Sequence, residues 1–468
     1  MVMKTRRSRA TVFGLAATLA AGLLAGCSGV SGADQEADNR ITVWSQENLP
    51  PRMAATQKVV SRFEKETGVK VDLVGVDEAQ LPQLIMSAAA AGKLPDVIGA
   101  VPMGQVWQMY GNGLLNTEVA DKIVKDLHPD TFNSNALSLT EDHGTRLGVP
   151  SDAWLQLVVY RKDLFAKAGL KAPDSYASAL KAAAALDGNG RYGVSLATDP
   201  SDVFTQQSFE DLALANDCQL VDGQGEPALD SPACRTAFTA YDDLARKHGA
   251  PGTQSVDTTR ATYFSGQSTM MVWSSFLLDE LAGLRSDALP SCPECKKDPK
   301  FLARNTGVVT SLQGPDGKAP AQFGEITSWA VTKTAETGPS EKFIEYMMGK
   351  GYTDWFGMAP EGKIPVRTGT PDAPGSFQRA WRSSVMGVDH HEAMKKAYPP
   401  ALLDQLVTGV SDMKRWGLTQ GQGTLVGATN GELPVAKAIG AMTGGQLSPA
   451  EAAKEANDEV AALQKSLQ

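Results

Sequence analysis

Histidine and cysteine are scarce in this sequence, five of each among 468 residues. Metal clusters need sets of such ligands at short spacing, so a multinuclear metal protein is excluded and neither a metal nor a cofactor is expected. Basic residues are the minority charge, 44 Lys and Arg against 53 Asp and Glu, for a net of −9. A chain so acidic lacks the clustered positive surface that holds nucleic acid, and it does not steer polyanions toward itself. Enzyme signatures are missing too: there is no G-x-S-x-G elbow and no H-E-x-x-H pair. No repeat of solenoid period occurs. Two motif matches do appear. Gly188-Asn189-Gly190-Arg191-Tyr192-Gly193 spells G-x-G-x-x-G but leaves a helix pattern and enters a strand, the reverse of a dinucleotide site. In Gly357 to Lys363, Pro360 removes an amide, Glu361 repels phosphate and Ile364 replaces the magnesium-binding hydroxyl. The neighbouring His390 and His391 point to different sides and do not chelate one ion. Carboxylates are plentiful, so composition alone leaves a glycosidase open.

What is present is ordinary globular material, 42% apolar and 21% charged, in a length suited to two or three domains. The N-terminus is set apart. Lys4, Arg6, Arg7 and Arg9, with no acid among them, precede an apolar stretch from Ala10 to Ala25. Residues 1–26 therefore read as an export signal, too short and glycine-rich to remain as a membrane span. Leu24-Ala25-Gly26-Cys27 resembles a bacterial lipobox, so lipidation of Cys27 is expected, with residues 27–40 as a lipidated flexible tether of Gly, Ser and acids. This reading puts the chain at the cell membrane, lipid-anchored on the extracellular face.

An oxidising setting favours disulfides among the other four cysteines. Cys218 and Cys234 flank a polar stretch, whose closure contributes about 3 kcal/mol in the chain-entropy model. Cys292 and Cys295 lie in SCPECKKDP. Zinc needs a second ligand pair and none is left over, while a thioredoxin-type motif opens a helix rather than sitting between prolines. Two structural bridges, 218–234 and 292–295, are expected.

Periodicity predicts βα units. Arg40 to Ser45 reads as a strand, Pro50 to Thr67 as a helix stopped by Gly68, and Val69 to Val76 as an alternating strand. Leu81 to Ala91 is an alanine-rich helix and Pro95 to Ala100 a third strand. Further on, Leu155 to Tyr160 and Tyr192 to Ala197 read as strands, Ser175 to Leu186 and Cys234 to His248 as helices. Ser448 caps a helix that begins Pro449-Ala450-Glu451. Strands alternating with helices imply a parallel sheet covered on both faces.

The eight tryptophans carry the functional signal. In α/β sheets, ligands lie beyond the carboxyl ends of strands. Trp44 ends the first strand, Trp273 ends the run Thr269-Met270-Met271-Val272, and Trp154 precedes a buried strand. A sugar lays its C–H faces on indole and needs paired donors and acceptors for its hydroxyls. Gln46 and Glu47 after Trp44, Asp152 before Trp154, and Ser274 and Ser275 after Trp273 supply them. Packing in the core is an even alternative for each of these three rings, and it is the stronger reading for Trp107 and Trp381.

Several segments carry a family resemblance. They are Phe63 to Val71 (FEKETGVKV), Leu94 to Ile98 (LPDVI), Gly148-Val149-Pro150, Val159 to Leu170 (VYRKDLFAKAGL), Phe264 to Met270 and Gly362 to Arg367. In that order, over most of the mature chain, they resemble the solute-binding lipoproteins of bacterial ABC importers, extracellular family 1, the maltose-binding-protein-like type. The resemblance implies an α/β, periplasmic-binding-protein-like fold, with two lobes around a central ligand cleft and hinge crossings between them. The lobes would be 41–150 with 311–360, and 151–310 with 361–468. It implies a monomeric, non-enzymatic receptor that captures a sugar, an oligosaccharide, for the transmembrane subunits of a permease. Two alternatives remain: a secreted carbohydrate-active hydrolase using cleft carboxylates, or a binder of a non-sugar solute. Trp154 falls where relatives present a ligand-contacting side chain, and either Trp273 or Phe276 is the stacking ring. Gly324 to Trp329 resembles a loop near a later crossing, with Glu325 where relatives have glycine. Glu325, Thr327, Trp355 and Arg367 complete the implied contacts, with Asp96 ranked as structural.

Overall fold

The computed structural model describes residues 39–468. The export segment, Cys27 and the tether up to residue 38 lie outside the described residues. The first half opens with β1 (Arg40–Ser45), β2 (Lys70–Gly75) and β3 (Val97–Pro102), with β1 parallel to both of the others. Between β1 and β2 runs the helix Pro50–Thr67, started by two prolines and stopped by Gly68 at φ 76°, whose N–H donates to the Glu64 carbonyl. Glycine takes that left-handed turn without a Cβ clash. The helix buries Thr56, Val59, Val60 and Phe63. Phe63 meets Phe343 and Tyr346 edge-on at 5.3 and 5.5 Å, and truncating such a residue to Ala costs about 3–5 kcal/mol.

The long strand β4 (Val149–Arg161) ties the molecule together. Its first part pairs antiparallel with β7 (Gly324–Val331) and with β8 (Ile364–Pro365), and its last part with β5 (Met270–Ser274) and β6 (Thr306–Val309). Strand β7 also pairs antiparallel with β3. The order is thus β8-β4-β7-β3-β1-β2, with β5 and β6 added on the far part of β4. The sheet is mixed, not wholly parallel. Gly324 to Trp329, expected as loop, is instead the start of a fully buried central strand, because pairing on both sides satisfies its backbone where the polar Glu-Ile-Thr-Ser sequence hid the pattern. The expected strand Tyr192–Ala197 is reduced to single bridges from Tyr192, Val194 and Ser195 to three different partners.

Two buried apolar clusters follow. One surrounds β1, β3 and β7 and takes in Trp329, Trp355, Phe377, Trp381 and Leu406. The other gathers Phe209, Phe238, Tyr241, Val435 and Val460 from helices Val203–Ala215, Pro232–Asp242, Pro434–Thr443 and Pro449–Ser466, together with Trp416 from the segment before helix Gly423–Glu432. Ser448 and Glu451 form the capping box of the last helix, as expected. Trp107 and Trp381 are buried within helices. Asp96 accepts from the Thr42 and Glu336 amides, a structural role. Both disulfides, Cys218–Cys234 and Cys292–Cys295, are formed.

Helix Met103–Gly111 of the first cluster lies directly on helix Gly423–Glu432, which feeds the second. The approach needs glycine: a Cβ on Gly427 would sit 2.8 Å from the Gln108 amide nitrogen, and one on Gly104 1.9 Å from Asn430 Nδ2. Among the described residues no helix is long and apolar enough to cross a membrane.

Candidate functional site

Polar side chains crowd along β4 where the two clusters meet. Asp152 is buried, yet it accepts from Ser151 Oγ at 2.8 Å, Thr327 Oγ1 at 2.6 Å, Trp355 Nε1 at 2.6 Å and Lys363 Nζ at 3.2 Å. Such a set of donors is what a buried carboxylate requires. Lys363 reaches on to Glu47 Oε1 at 2.6 Å and lies 4.3 Å above the Trp355 ring. The other Glu47 oxygen takes Arg52 at 3.0 Å, and the Arg52 guanidinium stacks 5.2 Å from Phe276. Burial alone would raise the Glu47 carboxyl, but Lys363 and Arg52 outweigh it and hold it down at about 2.

A second group links the two buried clusters further along. The Met103 amide donates to Glu325 Oε1 and Arg415 to Oε2, both at 2.8 Å. Arg415 also donates to Glu210 Oε1 at 2.9 Å, and the Trp416 amide shares that oxygen at 3.0 Å. One buried guanidinium therefore serves two buried carboxylates. Burial keeps both above their ordinary range despite Arg415, Glu210 at about 7. Arg415 lies 4.6 Å over Phe323, whose ring stands 5.8 Å from Trp154. A third group holds Asp279, Glu280 and Glu361. Arg260 and Arg285 approach Glu280 at 2.9 and 3.4 Å. Burial raises Glu280 to about 7 and, with Asp279 adding its charge, lifts Glu361 well above the usual range.

The residues singled out from the sequence are distributed among these groups. Glu47, Asp152, Thr327 and Trp355 belong to one network; Phe276 is tied to it through Arg52. Glu325 pairs in register with Trp154 in the second group. Trp44, Trp154 and Phe276 are half-buried, as is Gln46, whose side-chain amide makes no hydrogen bond among the described residues. Trp273 is buried, its indole N–H donating to the Val256 carbonyl at 3.0 Å and its ring beside Phe204 and Arg260. Ser274 pairs with Gln156. Trp355 is fully buried, 4.6 Å from Trp329. Arg367 is not brought to these groups: it serves the Leu127 and Met348 carbonyls and Thr131, between Phe132 and Phe377. A cavity of about 680 Å3 beside Tyr176, Leu180, Arg235 and Pro315 touches none of these residues.

Sequence reasoning missed Arg52, Lys363, Arg415 and Glu210. Lys363 sits inside the Gly362–Arg367 segment already singled out, and only the fold reveals that its charge is turned inward. Glu210 lies on Val203–Ala215, where Thr205, Gln206, Ser208, Glu210 and Asp211 are all buried. A helix of that composition gives no amphipathic stripe to read.

Two α/β halves that share a crossing strand, with half-buried Trp154 on it and buried ion pairs beside it, form a two-lobed binding-protein fold. Residues 58–382 match the family model of bacterial extracellular solute-binding proteins, and the chain belongs to that family. It is 29% identical over 354 residues to YcjN of Escherichia coli (strain K12), described as an ABC transporter periplasmic-binding protein, covering 73% of this chain and 77% of that one. Among solved structures, the GacH receptor of Streptomyces glaucescens GLA.O, studied unliganded and with acarbose, aligns with a TM-score of 0.69 at 19% identity, over 91% of this chain and 98% of its own. Maltose-bound MalE3 of T. maritima gives 0.69 at 17% identity, over 90% and 98%. The fold is accordingly periplasmic-binding-protein-like: two lobes around a central cleft, joined by hinge crossings.

Proposed function

We propose that this chain is the receptor of an ABC importer, binding an oligosaccharide between its lobes and delivering it to the transmembrane permease, without chemistry on the ligand. It acts as a monomer at the outer face of the cell membrane, held by lipid on Cys27. The observation that carries this reading is half-buried Trp154 on β4, with half-buried Phe276 tied through Arg52 and Glu47 to the polar network around Asp152 on the same strand. Trp44, Trp154 and Phe276 are the rings left open to a sugar face, and the unengaged amide of Gln46 has donors and acceptors to offer hydroxyls. Phe276 is the better stacking ring than Trp273, which is buried and already hydrogen-bonded. Asp152, Thr327, Trp355 and Glu325 act from behind, fixing the crossing, and Arg367 serves the framework. Relatives of the same fold solved with maltose and with acarbose support a carbohydrate. Ligand touching both lobes favours the closed state, and nothing more is needed for capture.

A thermal-shift screen of the mature protein against mono- and oligosaccharides tests this. A ligand at 100 times its dissociation constant stabilises by about 2.7 kcal/mol. No shift from any sugar, or cleavage of the tightest ligand during incubation, would overturn the reading, the second in favour of a hydrolase.

A further inference from the structure

A second hollow, of about 550 Å3, lies between the chain that leads from β6 into β7 and helix Pro400–Asp412. Its floor is Gln322. That side chain is 4% exposed, and its amide nitrogen is a buried donor without an acceptor. A buried polar atom in this state lacks a partner that a bound solute can bring. The floor is fixed from two directions. The Lys414 amide donates to the Gln322 carbonyl at 2.8 Å. Gly409 leaves room for the side chain, since a Cβ there would stand 2.6 Å from Gln322 Oε1.

The walls carry hydroxyls and an amide. Gln405, Thr408 and Asp412 are spaced i, i+3 and i+7, so they share one face of their helix. Thr310 and Ser311, both half-buried, line the hollow from the other chain segment. None of these five side chains has a hydrogen-bond partner among the described residues. Charge at the rim cancels: Asp412 and Lys414 are opposite in sign, and Asp404 is held by Arg382 at 2.8 Å. No aromatic ring among the described residues lines the hollow, so a flat sugar face has nothing to stack on there.

The hollow is separate from the candidate sugar site. Successive side chains of an extended chain point to opposite sides. Gln322 and Lys414 line the hollow, and Phe323 forms a β-bridge with Lys414. Their neighbours Phe323 and Arg415 therefore turn the other way, where Arg415 lies over the Phe323 ring and bonds Glu210 and Glu325.

We propose that this hollow is a second binding site, for a small neutral polyol. Gln322 Nε2 donates to one of its hydroxyls, and Thr310, Ser311, Gln405 and Thr408 serve the others. The site goes beyond the receptor reading and does not depend on it, and its solute does not compete with a ligand of the cleft.

The test is NMR of the 15N-labelled mature protein, following the Gln322 side-chain amide, which is identified as the signal lost in Gln322→Met. D-sorbitol is the probe, with D-gluconate and spermidine as its charged counterparts. Sorbitol is expected to move that signal saturably, in the wild type and equally in Trp154→Ala. The double variant Ser311→Ala, Thr408→Val is expected to weaken sorbitol binding about three- to tenfold, by removing two hydroxyl partners at partly open positions. A signal that stays fixed up to about 100 mM sorbitol, a response as strong in the double variant, or tighter binding of gluconate or spermidine overturns the inference and leaves the receptor reading standing. Loss of the sorbitol response in Trp154→Ala overturns it as well, by placing the polyol in the cleft.

Discussion

Replacing Lys363 with Met removes the one cation that Glu47 and Asp152 share. In the native protein its ammonium is 2.6 Å from Glu47 and 3.2 Å from Asp152, at 1% side-chain exposure. Breaking a buried ion pair by deleting one partner costs about 3–5 kcal/mol, because the remaining charge stays desolvated. Two features place this case at the low end. Glu47 keeps Arg52, and Asp152 keeps the Ser151, Thr327 and Trp355 donors. A loss of about 3 kcal/mol is therefore expected in urea unfolding followed by tryptophan fluorescence. The pH dependence gives a second handle. The Glu47 carboxyl lies at about 2, below its ordinary 4.5. A depressed carboxylate contributes stability that is complete above its unfolded value and is lost as the pH falls toward the folded one. Lys363→Met abolishes part of that contribution, so wild type and variant are furthest apart at neutral pH and converge below about pH 4. A loss under 1 kcal/mol at pH 7, or a difference that grows on acidification, would refute the account of Lys363 as the shared counter-charge.

Other consequences can be checked as directly. Trp154→Ala is expected to weaken binding of the true ligand by about 1–3 kcal/mol through lost stacking and buried area; unchanged calorimetric affinity would remove that residue from the site. Glu210, Asp211 and Glu280 are all raised to about 7 by burial, so their contribution to stability is complete at low pH and is lost as the pH rises through that value. The melting temperature of the ligand-free protein should accordingly fall between pH 5.5 and 8, and a rise over that interval contradicts the burial argument. Removing the Cys218–Cys234 bridge by paired Ala substitutions should cost about 3 kcal/mol for a loop of this size, more than removing Cys292–Cys295, which closes a far shorter one; equal losses in denaturant titrations would show that loop closure does not set the effect.

The first βα units were legible because local pattern and tertiary role agree there. Helix Pro50–Thr67 has its prolines, its buried face and its stopping glycine where the periodicity puts them. Strand β7 was not legible: its burial comes from neighbours on both sides rather than from its own Glu-Ile-Thr-Ser composition. Strand β4 reads as Leu155–Tyr160 from its apolar run, while the polar residues Ser151 and Asp152 hide the part that crosses between sheets. At the site, the rings and nearby acids were visible as residue types. Their counter-ions were not, since Lys363 and Arg415 look like surface cations until distant segments close over them.

The glycine seam between helices Met103–Gly111 and Gly423–Glu432 fixes the spacing of the two helices by close approach to main chain, and on the proposed reading it sets how the halves rest. Contact of that kind has little give, so one added side chain there works as a wedge. If a wedge cut the share of molecules able to shut to a tenth of its former value, the apparent dissociation constant would rise about tenfold although the pocket itself had not changed. Capture strength in this receptor is thus adjustable from a place that never meets the cargo.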